Sequence, residues 1–142
     1  MRDYLFRAKV KYPRSSTVFI GCDKNEGEWA VGDLHVRAAI PHIHNLWKKY
    51  PIDKDTVGQF IGLHDSKNRP IFKGDIIQSA IEGYNSKHEV IYVKEEAAFK
   101  ARIIGSPINE HCSLSKEWIE KFQKVVIGNI HDNPELLKGN NV

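Results

Sequence analysis

The chain has 142 residues, 41% of them hydrophobic, which suffices for one packed domain or for two small lobes sharing a core. No apolar run approaches the roughly 20 residues that cross a bilayer, and no signal-peptide core follows Met1, which favours the cytoplasm. The net charge of +3 is mild and concentrated toward the N-terminus, so it permits an acidic partner without requiring one.

Strict alternation near the N-terminus predicts a half-buried antiparallel strand. The segment Tyr4–Tyr12 places apolar side chains on one face and basic ones on the other. Further strands are predicted at Thr17–Ile20 and from Glu28 onward, with a turn at Asp23–Gly27 between them. These elements predict an N-terminal meander.

Residues 33–55 carry no clear period. Ala38–Ile40 is a short apolar run, and Pro41 and Pro51 interrupt what surrounds them. Asn45–Tyr50 fits either a helical turn or an extended edge. We expect an insertion with little regular structure.

The segment Thr56–Ile77 organises the rest of the chain. Val57–Leu63 is β-branched and aromatic, and the polar residues of His64–Arg69 suit a reversal. A second extended run begins at Pro70. Gly74 then occupies a corner that favours positive φ, so this segment predicts a β-hairpin followed by a tight turn.

The C-terminal half predicts two strands, a helix and a last strand. The strands are Glu89–Val93 and Ala97–Ile104, an order that resembles small SH3-like barrels at the level of fold analogy. Ser113 or Ser115 can cap a helix over 116–124, with Glu117→Lys121 and Glu120→Lys124 as supporting pairs. A strand over Val125–Ile127 and a helical turn at Asn133–Glu135 complete the chain.

Histidines and cysteines are the candidate metal-ligating and nucleophilic groups. His42 and His44, with His35 upstream, would project from one strand face, but no further ligand has a suitable spacing, so no metal site is predicted. His111 and Cys112 are adjacent, and neighbouring strand residues point to opposite faces, which argues against a nucleophile and its base. Cys22 and Cys112 are expected to be free thiols, and no cofactor is predicted.

Two aspartates and a set of basic residues each have a structural and a functional interpretation. Asp65 and Asp75 flank the predicted hairpin, where they would satisfy turns more readily than perform acid–base catalysis. Basic residues on two predicted strands could meet a nucleic-acid backbone, with Tyr12 or Trp29 for stacking, or form a solvated sheet face. These basic residues are Arg7, Lys9, Lys11, Lys100 and Arg102.

The central segment resembles the signature of the YopX family. Matching positions include Thr56–Phe60, Gly62–Leu63, Asp65, Lys67–Asn68, Ile71–Phe72 and Gly74–Ile77. Leu5–Ala8, Glu96–Phe99 and Val126–Leu137 resemble the family's opening, middle and closing motifs, whereas Lys9, Ser66 and Arg69 depart from it. The signature positions expected to be structural are Gly58, Gln59, Gly62, Asp65, Gly74, Asp75, Gly128, Asn129, Asn133 and Pro134.

The resemblance implies a mainly β fold with minor α and an uncharacterised role in a phage, prophage or mobile element of a bacterial host. It supplies no active site. We expect one domain over 1–142, with sub-lobes 1–55 and 56–142. The leading hypothesis is a non-enzymatic binding or assembly module, with homo-oligomerisation as one form of assembly. The alternatives are a nucleic-acid-binding small barrel that uses the basic N-terminal strand and, more distantly, a hydrolase whose site is not identified.

Overall fold

A computed structural model of the chain describes residues 5–13, 23–37, 40–108 and 110–138. Strands make up 48% of it, mainly antiparallel, and the described part contains one short α-helix, which confirms a mainly β fold with minor α. None of the described helices is long and apolar enough to cross a membrane. The chain divides into two compact units, 1–60 and 61–142.

The first unit is an antiparallel sheet with the strand order β4-β3-β2-β1-β5. Its strands are β1 (Phe6–Lys9), β2 (Trp29–His35), β3 (His42–Asn45), β4 (Lys48–Pro51) and β5 (Gly58–His64). Gly58 and Gln59 of β5 pair with β1, which explains why the unit extends beyond the expected boundary at residue 55. The predicted strand at Thr17–Ile20 lies outside the described residues.

The expectation of little regular structure over 33–55 was wrong. Strand β2 continues to His35, and β3 and β4 form a hairpin that a 3-10 turn follows at Lys54–Thr56. Pro51 is tolerated because β4 is the outermost described strand of this sheet, where a missing N–H need not break a ladder. Ile43 and Tyr50, which pair across the hairpin, supply its buried face.

One side of this sheet forms the core of the first unit. Its buried members are Ala8, Val10, Ala30, Ile43, Tyr50 and Ile52. Gly32 on β2 lies so close to β3 that an added Cβ would be 2.4 Å from the His44 carbonyl oxygen. A side chain at this position would therefore push the two strands apart.

The second unit contains a hairpin, a five-stranded antiparallel sheet and the helix. The end of β5 pairs with β6 (Pro70–Phe72), and the sheet has the order β10-β9-β8-β7-β11. The sheet strands are β7 (Asp75–Ser79), β8 (Lys87–Val93), β9 (Ala98–Ile103), β10 (His111–Ser113) and β11 (Lys124–Asn129). The analogy with SH3-like barrels stays a prediction. Strand β10 falls where a loop was expected.

Helix α1 (Lys116–Lys121) is shorter than predicted because Lys124 already belongs to β11. Ser115 is its cap, since its Oγ accepts a hydrogen bond from Trp118 N at 3.1 Å. The expected Glu120→Lys124 pair was therefore wrong, and Glu120 instead lies 4.0 Å from Lys116. The helix covers the core of this unit, formed by Ile71, Ile77, Val90, Ala101 and Ile119.

Gly74 forms the corner between β6 and β7 with φ at +93°. Its N–H donates to the Val90 carbonyl and its own carbonyl accepts from Ile130 N, each at 2.9 Å.

We expect Gly74→Val to lower the free energy of unfolding by more than ~1 kcal/mol, because a β-branched residue resists positive φ. Urea unfolding would measure the change, with Gly74→Asn as a milder control because Asn tolerates this region better. Unfolding at an unchanged urea concentration would contradict the argument.

Candidate protein-interaction site

Asp65 links the hairpin reversal to the last strand of the second unit. Its buried carboxylate accepts hydrogen bonds from Lys67 N and Arg69 N at 2.9 Å, and from Arg69 Nε and Val126 N at 3.0 Å. Burial alone would raise the pKa of Asp65, but these hydrogen bonds and the Arg69 charge outweigh it and lower the pKa. Such a carboxylate stays ionised and has its acceptors occupied, which suits a structural role.

The other signature carboxylate is also committed to the backbone. Asp75 is 1% exposed and accepts from Phe72 N at 2.8 Å. This geometry supports the turn interpretation of both aspartates over acid–base catalysis. Gly62, also in the signature, has φ at +89° and lies in an exposed position with no atom near its absent Cβ.

The closing motif folds around an asparagine. The Asn129 side-chain oxygen accepts from His131 N at 3.0 Å and Asp132 N at 2.9 Å. An added Cβ at Gly128 would lie 2.5 Å from Asn133 Oδ1, so glycine permits this close approach. Pro134 begins the 3-10 turn at Pro134–Leu137. These contacts hold the turn that follows β11 in place, which supports a structural role for Gly128, Asn129, Asn133 and Pro134.

The three histidines of the first unit lie on one sheet face. Stacked rings of His35 and His42 have centroids 4.8 Å apart, and His44 is 6.0 Å from His35. His42 Nδ1 lies 3.0 Å from the Ile40 carbonyl oxygen. Within the described ranges, no group of three or more His, Cys, Asp or Glu side chains is placed to hold a metal ion.

His111 and Cys112 diverge on β10. His111 is exposed and its Nε2 lies 3.8 Å from Glu96 Oε2, whereas the Cys112 Sγ is 3.6 Å from the Ala101 carbonyl oxygen. Burial raises the pKa of the Cys112 thiol, which keeps it protonated and weakly nucleophilic. Cys22 lies outside the described residues.

The two basic rows belong to different units. Arg7 and Lys9 on β1 lie over the Trp29 ring, at 4.6 and 5.6 Å from its centroid, and Lys11 is exposed. In the second unit, Lys100 is 3.5 Å from Glu96, and Arg102 is 2.5 Å from Glu89. The cations of β9 are thus already neutralised by carboxylates, which does not favour contact with phosphates.

The tip of the β3–β4 hairpin carries the two most exposed large apolar side chains of the described chain. Asn45 pairs with Lys48, so Leu46 and Trp47 form a two-residue turn. Leu46 is 82% and Trp47 94% exposed. Such adjacent exposed side chains differ from the single apolar residues scattered over ordinary surfaces.

The base of this Leu46–Trp47 tip is held firmly. Asn45 Nδ2 donates to the Val31 carbonyl oxygen at 2.9 Å, and Tyr50 Oη donates to Asp23 at 2.7 Å. Lys48 forms an ion pair with the same Asp23 carboxylate. These hydrogen bonds from Lys48 and Tyr50 lower the pKa of Asp23 to about 2. The turn is therefore presented on a fixed base.

The tip also adopts an unfavourable backbone conformation. Leu46 has φ at +55°, although two-residue hairpin turns favour Asn, Asp or Gly at such positions. Neither propensity nor burial explains leucine here, and strained exposed residues of this kind concentrate at functional sites. Sequence reasoning missed this tip because Leu-Trp is not a hairpin signal.

A buried lysine and a buried histidine pack against the same tryptophan in the second unit. Lys124 is 5% exposed, and its Nζ lies 4.7 Å from the Trp118 ring centroid. His88 is 6% exposed, packs edge-on against the same Trp118 at 5.3 Å, and has no hydrogen-bond partner for Nδ1. Burial lowers the pKa of Lys124, and burial together with the Lys124 charge lowers the pKa of His88 to about 4.

Comparison with protein-family models places the chain in a family. A family model described as YopX protein matches residues 6–138 of the 142-residue chain. The comparison with curated proteins found no match. The family match covers both units and includes the hairpin tip.

Proposed function

Because the chain belongs to the YopX family, we propose that it is a non-enzymatic binding and assembly module that contacts a protein partner through its Leu46–Trp47 tip. YopX is not a known enzyme family. The observation that carries the proposal is the 94% exposure of Trp47 beside a strained Leu46 on an anchored turn. The setting that we propose is a phage or mobile element in the bacterial cytoplasm.

The Leu46–Trp47 tip raises the free energy of the protein when no partner is bound. Two large apolar side chains in water and a leucine at positive φ are each unfavourable for the free protein. Burial against a partner recovers the hydrophobic term, and tryptophan dominates the binding energy of many protein interfaces. The fixed base reduces the entropy lost when the partner binds.

We expect Trp47→Ser to weaken capture of the partner by about 30-fold or more, since a central tryptophan typically contributes about 2 kcal/mol or more. The test compares immobilised wild-type and variant chains against an extract of the bacterial host, with retained proteins identified by mass spectrometry. Tyr92→Ser is the matched control, because Tyr92 is an exposed aromatic residue of the other unit.

Equal retention by wild type and Trp47→Ser would contradict the proposal. Binding to anionic vesicles that needs Trp47 would assign the tip to a membrane instead.

Nucleic-acid binding through the five basic side chains would show an affinity that falls with salt concentration at a log–log slope of roughly −3 to −5. We expect this protein to bind nucleic acid only weakly and only at low salt, as any mildly basic protein does.

A further inference from the structure

Lys124 is a buried amine with no carboxylate partner among the described residues. Only 5% of the residue is exposed, and its Nζ lies 4.7 Å from the Trp118 ring centroid and 5.8 Å from that of Phe122. Within the described part of the chain it forms neither a hydrogen bond nor an ion pair. The two aromatic rings offset only part of the free energy that an ammonium loses when it leaves water, so packing alone does not explain a lysine here.

The polar groups that act on this amine carry no negative charge at pH 7. His88 is neutral, because burial and the Lys124 charge lower its pKa to about 4. Cys112 stays a protonated thiol, because burial raises its pKa. Burial therefore lowers the pKa of Lys124, and a larger fraction of this amine is neutral at pH 7 than at an exposed lysine.

The Lys124 nitrogen keeps contact with solvent although the rest of the residue is covered. His88 Nδ1 is fully enclosed and has no hydrogen-bond partner, whereas Lys124 Nζ is not enclosed. The backbone below it is fixed, since Lys124 pairs with Ser79 on β7 and its carbonyl accepts from Ser66 N at 2.9 Å. The amine is thus held at one place, and its narrow contact with solvent admits only a small molecule.

We propose that Lys124 is a nucleophilic amine that forms a reversible imine with a small, neutral aldehyde. The Nζ lone pair adds to the carbonyl carbon, and the two nitrogen protons leave with the carbonyl oxygen as water, so that a C=N bond replaces the C=O bond. A lysine desolvated by apolar surroundings is activated for this reaction, because only the neutral amine attacks. An anionic aldehyde would instead stabilise the unreactive ammonium form. This site lies in the second unit and does not depend on the Leu46–Trp47 tip.

Formaldehyde is the probe, and a mild hydride donor converts each imine into a stable N-methyl amine. The full chain is labelled briefly at pH 7 and at pH 10, and peptide masses compare Lys124 with Lys67, an exposed lysine of the same unit. We expect Lys124 to react several-fold faster than Lys67 at pH 7. The difference should shrink at pH 10, where an ordinary lysine is also partly neutral.

Lys124→Arg is the matched variant, because it keeps a cation beside Trp118 and should remove the fast label without changing that of Lys67. Labelling of Lys124 no faster than Lys67 at pH 7 would overturn the inference. A rate advantage of the same size at both pH values would also overturn it, since the reactivity would then not come from a larger neutral fraction. The comparison of the two lysines is made in the wild-type chain, so it decides the question even if Lys124→Arg unfolds.

Discussion

Replacing Asp65 with alanine is expected to lower the free energy of unfolding by about 3–5 kcal/mol. The change would leave Lys67 N, Arg69 N and Val126 N without their acceptor. Arg69 would also lose its ion-pair partner. A buried donor without a partner forfeits its hydration on folding, and here several donors share one carboxylate.

Urea unfolding measured by circular dichroism checks this expectation. Asp65→Asn retains the shape and one acceptor oxygen, so we expect an intermediate loss. Glu82→Ala, at an exposed position, is the control for removing a carboxylate and should change stability by less than ~0.5 kcal/mol. A loss below about 1 kcal/mol for Asp65→Ala would mean that water replaces the carboxylate freely.

The second large effect is a loss of stability in mild acid that belongs to His88. The pKa of His88 is about 4 in the folded chain, against an ordinary value of 6.5. As the pH falls below 6.5, the unfolded chain gains a proton that the folded chain refuses, so stability is full above 6.5 and falls toward pH 4. The expected loss is on the order of 2 kcal/mol.

Chemical unfolding at a series of pH values would show this loss. His88→Phe keeps a ring against Trp118 without a titrating group, and should remove most of the dependence above pH 4. His111→Phe, an exposed position, should leave it unchanged. Lys124→Met should reduce the loss, because the Lys124 charge helps to keep His88 neutral. The stability that Asp65 contributes is lost only below its ordinary pKa of 3.8. Its pH range therefore does not overlap the range from 6.5 to about 4 in which His88 acts. A flat profile from pH 7 to 4 would refute the His88 assignment.

Local sequence patterns explain which parts of the fold could be predicted. Strands β1 and β9 alternate apolar and basic residues, strands β5 and β8 are rich in β-branched and aromatic residues, and Ser115 marks the helix start. The β3–β4 hairpin escaped prediction because Pro41 and Pro51 resemble breakers, while tertiary pairing places them at strand ends. Strand β10 has three residues, too few for a period to be visible.

The candidate site residues also divide into those that local sequence predicts and those that long-range packing determines. Local turn chemistry indicated the roles of Asp65 and Asp75, because the N–H groups of Lys67, Arg69 and Phe72 that they accept from are near in sequence. The exposure of Trp47 could not be predicted, since it depends on which strand β3 pairs with. The burial of Lys124 was also invisible, because the sequence places it as a solvated partner of Glu120 on a longer helix. Long-range packing decides both positions.

The composition of β4 protects one edge of the first unit's sheet from backbone pairing with another chain. An outer strand offers unpaired N–H and C=O groups, which invite sheet-to-sheet addition and uncontrolled aggregation. Here that strand carries two lysines and ends in a proline, Lys48, Lys49 and Pro51, three devices that discourage backbone pairing along an edge. Backbone addition along this edge is thereby discouraged, so contacts made at this side of the unit fall to side chains such as those of Leu46 and Trp47.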